Sequence, residues 1–175
     1  GLLNSVKIVI NVLFALVIFQ IFLILPRPDD PELEYHTLSQ IYSENIPTLL
    51  VIIVGLTLVI LYWIQFNRQM GNLTRSSPAH ASLSILQMFC LMIYLYFLRF
   101  DMEYDGMKLA LQMESIFLAL AGFIGAFNWR YARHQKFTSD EIDYNEELNI
   151  FYNILPEPLA SLFTLPFAVF GPMIW

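Results

Sequence analysis

The sequence predicts an all-α protein, a polytopic bundle of transmembrane helices, from its composition and from the length of its apolar segments. Of its 175 residues, 57% are hydrophobic and 14% are charged, whereas about a quarter of the residues in soluble globular domains are charged. The mean hydropathy is +0.58. Several apolar runs reach the roughly 20 residues that a helix rising 1.5 Å per residue needs to cross a hydrocarbon core about 30 Å thick. An integral membrane protein is therefore expected.

Five spans can be placed, and together they are expected to form one transmembrane domain. The first, VKIVINVLFALVIFQIFLIL, carries one charge and is closed by Pro26. Four prolines interrupt the fifth span, which is expected to be kinked or broken because proline removes a backbone donor. The chain stops at Trp175 directly after an apolar run, and a sixth span is expected beyond it. The five spans cover about residues 6–25, 47–66, 81–100, 107–129 and 150–175.

Basic residues near the span ends indicate the orientation. Six of the nine fall on one side of the membrane in this arrangement, whereas the segment between the first two spans is Pro-rich and acidic, with a short interfacial helix expected over Leu33 to Tyr42. Cytoplasmic segments carry an excess of Lys and Arg, so the N-terminus is expected in the cytoplasm. The six basic residues on this side are Lys7, Arg68, Arg75, Arg130, Arg133 and Lys136.

The first span has one distinctive face. At 100° per residue, Lys7, Asn11, Ile18, Phe22 and Leu25 fall on one narrow strip, with a basic and an amide group at one end and bulky apolar groups at the other. We interpret this face as meeting a pore axis or a partner subunit. The alternative is an ordinary lipid-facing or bundle-packed helix whose lysine extends to the interface.

The fourth span carries a seam of small residues and one acid. Small residues let helix backbones approach closely within a bilayer. Glu114 either reaches the headgroups from near the start of the helix or lies buried as a carboxylate lining a cavity. In the third span, Gln87 is a strongly polar interior residue. One hypothesis is a contact between Gln87 and Asn11 of the first span. The seam consists of Ser115, Ala119, Gly122 and Ala126.

The pattern of chemically active side chains does not point to an enzyme. The three histidines, His36, His80 and His134, are all expected in loops, without metal-ligand spacing to Cys90 or to carboxylates. A Gly-rich phosphate loop and a nucleophile elbow are not found in the sequence. We therefore expect no cofactor and no metal site. Basic residues are few and scattered, so nucleic acid is not an expected partner.

Several features resemble one known family. They are the first helix closing with Ile24-Leu25-Pro26, Trp63 followed by Arg68 at the end of the second span, the basic loop before the third span, and a Pro-rich fifth span ending FAVFGPMIW. With this order of spans, the chain resembles a divergent member of the transmembrane protein 175 family, the potassium channels of lysosomes and many prokaryotes. The resemblance implies a six-helix unit, four of which (or two tandem pairs) surround a pore lined by the first helix. It also favours a bacterial plasma or internal membrane.

The sequence departs from the family at its most specific motif, which is an Arg, three spacers and Phe-Ser-Asp on the first helix. Counted back from Pro26 without gaps, the Arg position falls on Lys7 and Phe-Ser-Asp falls on Asn11-Val12-Leu13. A family histidine after the second-span Trp falls on Phe66. The resemblance thus implies that apolar residues and Asn11 replace the polar network between the inner helices.

The same register places the apolar pore rings of the family on Ile18, Phe22 and Leu25, which agrees with the face obtained from periodicity. Such a constriction selects ions by its width and by the cost of dehydration. One hypothesis is an oligomeric, potassium-permeable cation channel, a homotetramer in the lipid bilayer with Lys7 and Asn11 at the pore entrance. The alternative is a non-conducting subunit of a larger complex with unlike membrane chains, because Phe22 is bulkier than the aliphatic residue that is usual at this pore position. That alternative assigns the small-residue seam and the aromatic faces of the third span to docking.

Overall fold

The computed structural model describes residues 1–23, 40, 46–103 and 108–170, and these residues are almost entirely helical. In the described part of the chain, the backbone pairing outside helices is an isolated antiparallel bridge between Leu73 and Thr138. The predicted all-α class is confirmed. The helices are α1 (Leu2–Phe22), α2 (Ile46–Gly71), α3 (Pro78–Glu103), α4 (Lys108–His134), α5 (Tyr144–Ile154) and α6 (Pro156–Thr164), followed by a 3₁₀ segment (Leu165–Phe170).

Among the described residues, four helices, α1 to α4, are long and apolar enough to cross a membrane. A helix is the natural form of such segments because it satisfies every backbone donor and acceptor within the segment. The predicted transmembrane bundle is confirmed in this sense. The helices extend beyond the apolar runs: α2 continues through polar residues to Gly71, and α3 begins at Pro78, where proline suits the first turn.

The region of the predicted fifth span consists of three short helical pieces. Helix α5 begins after Asp143, with Glu146 and Glu147 in its first turn, where negative charge stabilises the positive end of the helix dipole. The chain then breaks at Leu155, and Pro156 opens α6. The expected interruption by proline therefore falls at this point. The rest of this span, residues 171–175, and the expected helix from Leu33 to Tyr42 lie outside the described residues, apart from the helical Gln40.

Helices α3 and α4 form the centre of the bundle and pack against each other along their length. Half of the most apolar 18-residue window of α3 is buried, and 56% of that of α4, against 22% for α1 and 28% for α2. Helix α1 packs on α2 and α3, whereas α6 and the 3₁₀ segment pack on α4. As a result, α1 and α2 present most of their apolar surface outward.

The small-residue seam of α4 faces α6. Ser115, Ala119, Gly122 and Ala126 are all buried. A methyl group added at Gly122 would lie 2.7 Å from the Pro158 ring, and Ser115 Oγ lies 3.4 Å from Thr164 Oγ1. The seam is therefore covered by a later segment of the same chain and is closed to another subunit, contrary to the docking role that the alternative hypothesis gave it.

Glu114 lies inside the bundle, so of its two alternatives the one in which it reaches the headgroups is wrong. Its side chain is fully buried, and neither carboxylate oxygen has a hydrogen-bond partner among the described residues. The reason is its position on α4, on the face that also carries the buried Leu111, Ser115 and Leu118. An uncompensated carboxylate is costly inside a membrane protein, so this group is expected to be neutral.

Two of the histidines lie in helices, contrary to the expectation that they occupy loops. His80 is in the first turn of α3 and is buried, with Nδ1 2.9 Å from Ser76 Oγ and its ring edge-on to Phe137. His134 is the last residue of α4 and is exposed. His36 lies outside the described residues. Among those residues, histidine, cysteine and acidic side chains form no group of three or more that could hold a metal ion.

Candidate functional site on the first helix

Helix α1 buries one stripe and exposes the rest of its surface. The buried residues recur at spacings of three and four, the repeat of a single helical face, and this face meets α2 and α3. Large apolar side chains cover the opposite side, among them Ile8, Val12, Leu16 and Phe19. The sequence thus gives α1 two apolar faces, one of which is not covered by the residues that the structure describes. The buried residues are Val6, Ile10, Phe14, Val17 and Ile21.

The face predicted to line a pore lies between these two sides, about a quarter turn from the buried stripe at 3.6 residues per turn. Asn11 and Phe22 are exposed, Phe22 to 61%, whereas Lys7 and Ile18 are half-buried. Leu25 lies outside the described residues. The described members of this face therefore remain at least partly accessible from outside the bundle.

The end of α1 that carries Lys7 is basic. Lys7 and Arg75 line a cavity of about 360 Å³ together with polar side chains from the start of α1 and from the loop between α2 and α3. Arg75 is held in place because its guanidinium donates to the Lys136 carbonyl oxygen at 3.1 Å and lies over the Phe137 ring. Positive charge is thus fixed at this end of the helix.

Asn11 links α1 to α2. The indole Nε1 of Trp63 donates to Asn11 Oδ1 at 3.1 Å, and both side chains are exposed to the outside of the bundle. The considered contact between Asn11 and Gln87 does not form, because the amide nitrogen of Gln87 lies against Gly125 on α4. The resemblance places the start of the Phe-Ser-Asp motif at Asn11. At this position the chain therefore has a side-chain hydrogen bond to α2.

Phe66 occupies the position where the resemblance expects a histidine. Its side chain is buried, and its ring centroid lies 6.0 Å from that of Phe14 on α1. This aromatic pair is an apolar contact between the first two helices. The resemblance implied apolar residues at this place.

A second polar cluster was missed by the sequence analysis. The Tyr62 hydroxyl contacts the Leu118 carbonyl oxygen at 3.1 Å and also the Glu157 carboxyl group, which accepts from Ser161 Oγ at 3.0 Å. The cluster joins α2, α4 and α6 inside the bundle. Its members come from distant parts of the chain, so no periodic pattern connects them. The sequence feature that could have indicated this cluster is Glu157, an acidic residue between two prolines in an apolar segment.

The Tyr62 hydroxyl has one hydrogen but contacts two oxygen atoms of other residues, and this indicates where the protons of the cluster lie. If Tyr62 donates to the Leu118 carbonyl, the contact with Glu157 needs a hydrogen on the carboxyl group. A neutral Glu157 donating to the tyrosine oxygen satisfies both contacts. A neutral acid also avoids the cost of a buried charge. The cluster is therefore suited to holding three helices together.

Comparison with known proteins places the fold. No protein-family model matches the sequence, and no curated protein matches it. The structure is similar to the crystal structure of a lysosomal potassium-selective channel TMEM175 homolog from Chamaesiphon minutus, with a TM-score of 0.78 and 13% sequence identity. The match covers 96% of this chain and 87% of that chain. This protein therefore has the fold of that channel homolog, in agreement with the resemblance found in the sequence.

Proposed function

We propose that the chain is a divergent member of the transmembrane protein 175 family and a subunit of an oligomeric, potassium-permeable cation channel. The observation that carries the proposal is the fold shared over 96% of the chain with a potassium-selective channel homolog at a TM-score of 0.78. The exposed side of α1 is consistent with it, because a pore-lining helix must keep one face clear of its own bundle. The proposed role is transport and not catalysis.

The proposed constriction is formed by Ile18, Phe22 and Leu25. Phe22 is the best-supported member, because its side chain is 61% exposed and can project toward a symmetry axis. A ring of such side chains makes ion passage depend on pore width and on the cost of shedding water. Lys7 and Asn11 form the proposed entrance, where the basic end of α1 sets the local electrostatic potential.

The channel proposal requires several copies of the chain around a closed axis, because one helix cannot enclose a pore. We propose a homotetramer in which each chain is a single transmembrane domain. The N-terminus lies in the cytoplasm in this arrangement, since the basic ends of α2 and α4 fall on that side. The membrane is proposed to be a bacterial plasma or internal membrane.

Potassium flux into liposomes containing the purified protein tests the proposal, with sodium as the comparison ion. We expect flux that favours potassium, and we expect Ile18→Asn to reduce this preference because a polar group lowers the dehydration cost at the ring. Leu120→Asn is the matched control. It makes a similar apolar-to-amide change at an exposed position of α4, away from the proposed pore, and should leave the preference unchanged.

A closed pore and an absent pore can be separated with one more variant. If the wild-type protein shows no flux although the vesicles contain folded oligomer, Phe22→Ala widens the proposed ring and should permit flux. If Phe22→Ala is also silent, the channel proposal fails. The non-conducting subunit is then favoured, and it predicts that unlike membrane chains co-purify with the protein.

A further inference from the structure

A cavity of about 460 Å³ lies between the end of α4 and helix α5, away from the proposed pore face. Helix α4 contributes Arg130, Arg133 and His134 to its lining, and α5 contributes Glu147, Phe151 and Tyr152. The cavity therefore has a basic side at the end of a membrane-spanning helix and an aromatic side formed by the next helix. The proposed pore does not include these residues.

The contacts of Glu147 fix the shape of this cavity. Its carboxylate accepts from Arg133 Nε at 2.9 Å and from Thr138 Oγ1 at 3.1 Å, and its backbone carbonyl oxygen accepts from Trp129 Nε1 at 3.1 Å. Trp129 is fully buried. These bonds connect the end of α4, the following loop and the first turn of α5, so the two walls of the cavity are held at a set distance.

The charges in the cavity do not cancel. Glu147 pairs with Arg133, which also lies over the Tyr144 ring, and it is the one carboxylate among the lining residues. The side chains of Arg130 and His134 are exposed, and neither forms a hydrogen bond or an ion pair with a residue that the structure describes. The cavity thus offers an uncompensated guanidinium and an imidazole to an anion.

We propose that this cavity binds the headgroup of an anionic phospholipid. A guanidinium matches the geometry of phosphate oxygens and can bind two of them at once, and basic pockets between transmembrane helices are suited to anionic headgroups. Arg130 binds the phosphate, His134 adds a second donor, and Phe151 and Tyr152 contact the upper part of an acyl chain. The position supports a lipid, because Arg130, Arg133 and His134 follow the apolar part of α4.

Native mass spectrometry of the whole protein in detergent, titrated with short-chain phosphatidylglycerol, tests the proposal. Phosphatidylcholine with the same chains and inorganic phosphate are the comparison ligands. Each basic group near an anionic lipid contributes an amount equivalent to about a fivefold change in the dissociation constant. We therefore expect phosphatidylglycerol to bind about fivefold more weakly to Arg130→Gln, and more weakly to His134→Gln as well.

Arg68→Gln is the matched control, because Arg68 is an exposed arginine at the end of another spanning helix. It should leave the dissociation constant unchanged. Equal binding to Arg130→Gln and to the wild type overturns the proposal. So does inorganic phosphate that binds as tightly as the lipid and displaces it, which indicates a free anion. A change of oligomeric mass in Arg130→Gln also overturns it, because the cavity is then a subunit contact.

Discussion

Replacing Gly122 by alanine tests whether α6 is packed on the small-residue seam of α4. The added methyl group would lie 2.7 Å from Cβ and Cγ of Pro158 and 2.8 Å from its Cδ, whereas ordinary contact begins at 3.4 Å. The proline ring is fixed to the backbone of α6 and cannot rotate away. To relieve the clash, either the whole of α6 or the backbone of α4 must therefore shift.

The magnitude follows from two opposing terms. Overpacking a close interface costs about 1–3 kcal/mol. Alanine in place of glycine favours the helix by about 1 kcal/mol. Because the clash involves three ring atoms and not a flexible chain end, we take the upper part of the packing range. The expected net loss is about 1–2 kcal/mol, roughly a tenfold change in the unfolding equilibrium.

Equilibrium unfolding of the detergent-solubilised protein measures this change, and Gly55→Ala is the matched control. A methyl group at Gly55 would lie 3.1 Å from Cδ2 of Leu98, the far end of a flexible side chain, which has to move by only a few tenths of an ångström. Gly55→Ala should therefore leave stability unchanged or raise it by up to about 1 kcal/mol. Only Gly122→Ala should lower the free energy of unfolding.

Equal free energies of unfolding for the two variants would refute the reasoning. That result would mean that Pro158 is not close to Gly122 in the protein, and that the seam is free for another occupant. A loss confined to Gly122→Ala supports the intramolecular contact. It also favours α1 and α2 as the place of the proposed subunit interface, because they have the smallest buried share of the four membrane-capable helices among the described residues.

Two further substitutions test the polar contacts of α2. Tyr62→Phe removes the hydroxyl that contacts Glu157, and it should lower the free energy of unfolding by about 1–3 kcal/mol because buried polar groups lose their partner. Tyr96→Phe, at a site 61% exposed, should have no measurable effect, and equal effects would contradict the cluster. Asn11→Leu removes the acceptor of the Trp63 indole. It should lower the free energy of unfolding by about 0.5–1.5 kcal/mol and shift the fluorescence emission of Trp63. An unchanged emission spectrum would show that the hydrogen bond does not form.

The sequence was sufficient to predict the class of fold and the presence of four helices that are long and apolar enough to cross a membrane. A segment in a bilayer must satisfy its backbone internally and must be apolar over its length, so each span is a local property that can be identified without its neighbours. The face of α1 with Asn11 and Phe22 was also predictable, because helical periodicity is local. The structure shows that both side chains are exposed, but Lys7 and Ile18 are half-buried, and that difference depends on neighbouring helices.

The burial of the polar side chains was decided by the tertiary structure alone. Glu114 and His80 are buried because of what packs over them, and the sequence near each residue carries no record of it. The same holds for the bond between Tyr62 and Glu157, whose partners are 95 positions apart. Local apolar length and periodicity thus determined where this chain forms helices and which faces they have. Only packing between distant segments decided which faces are covered and where the buried acids lie, because those contacts depend on three-dimensional proximity.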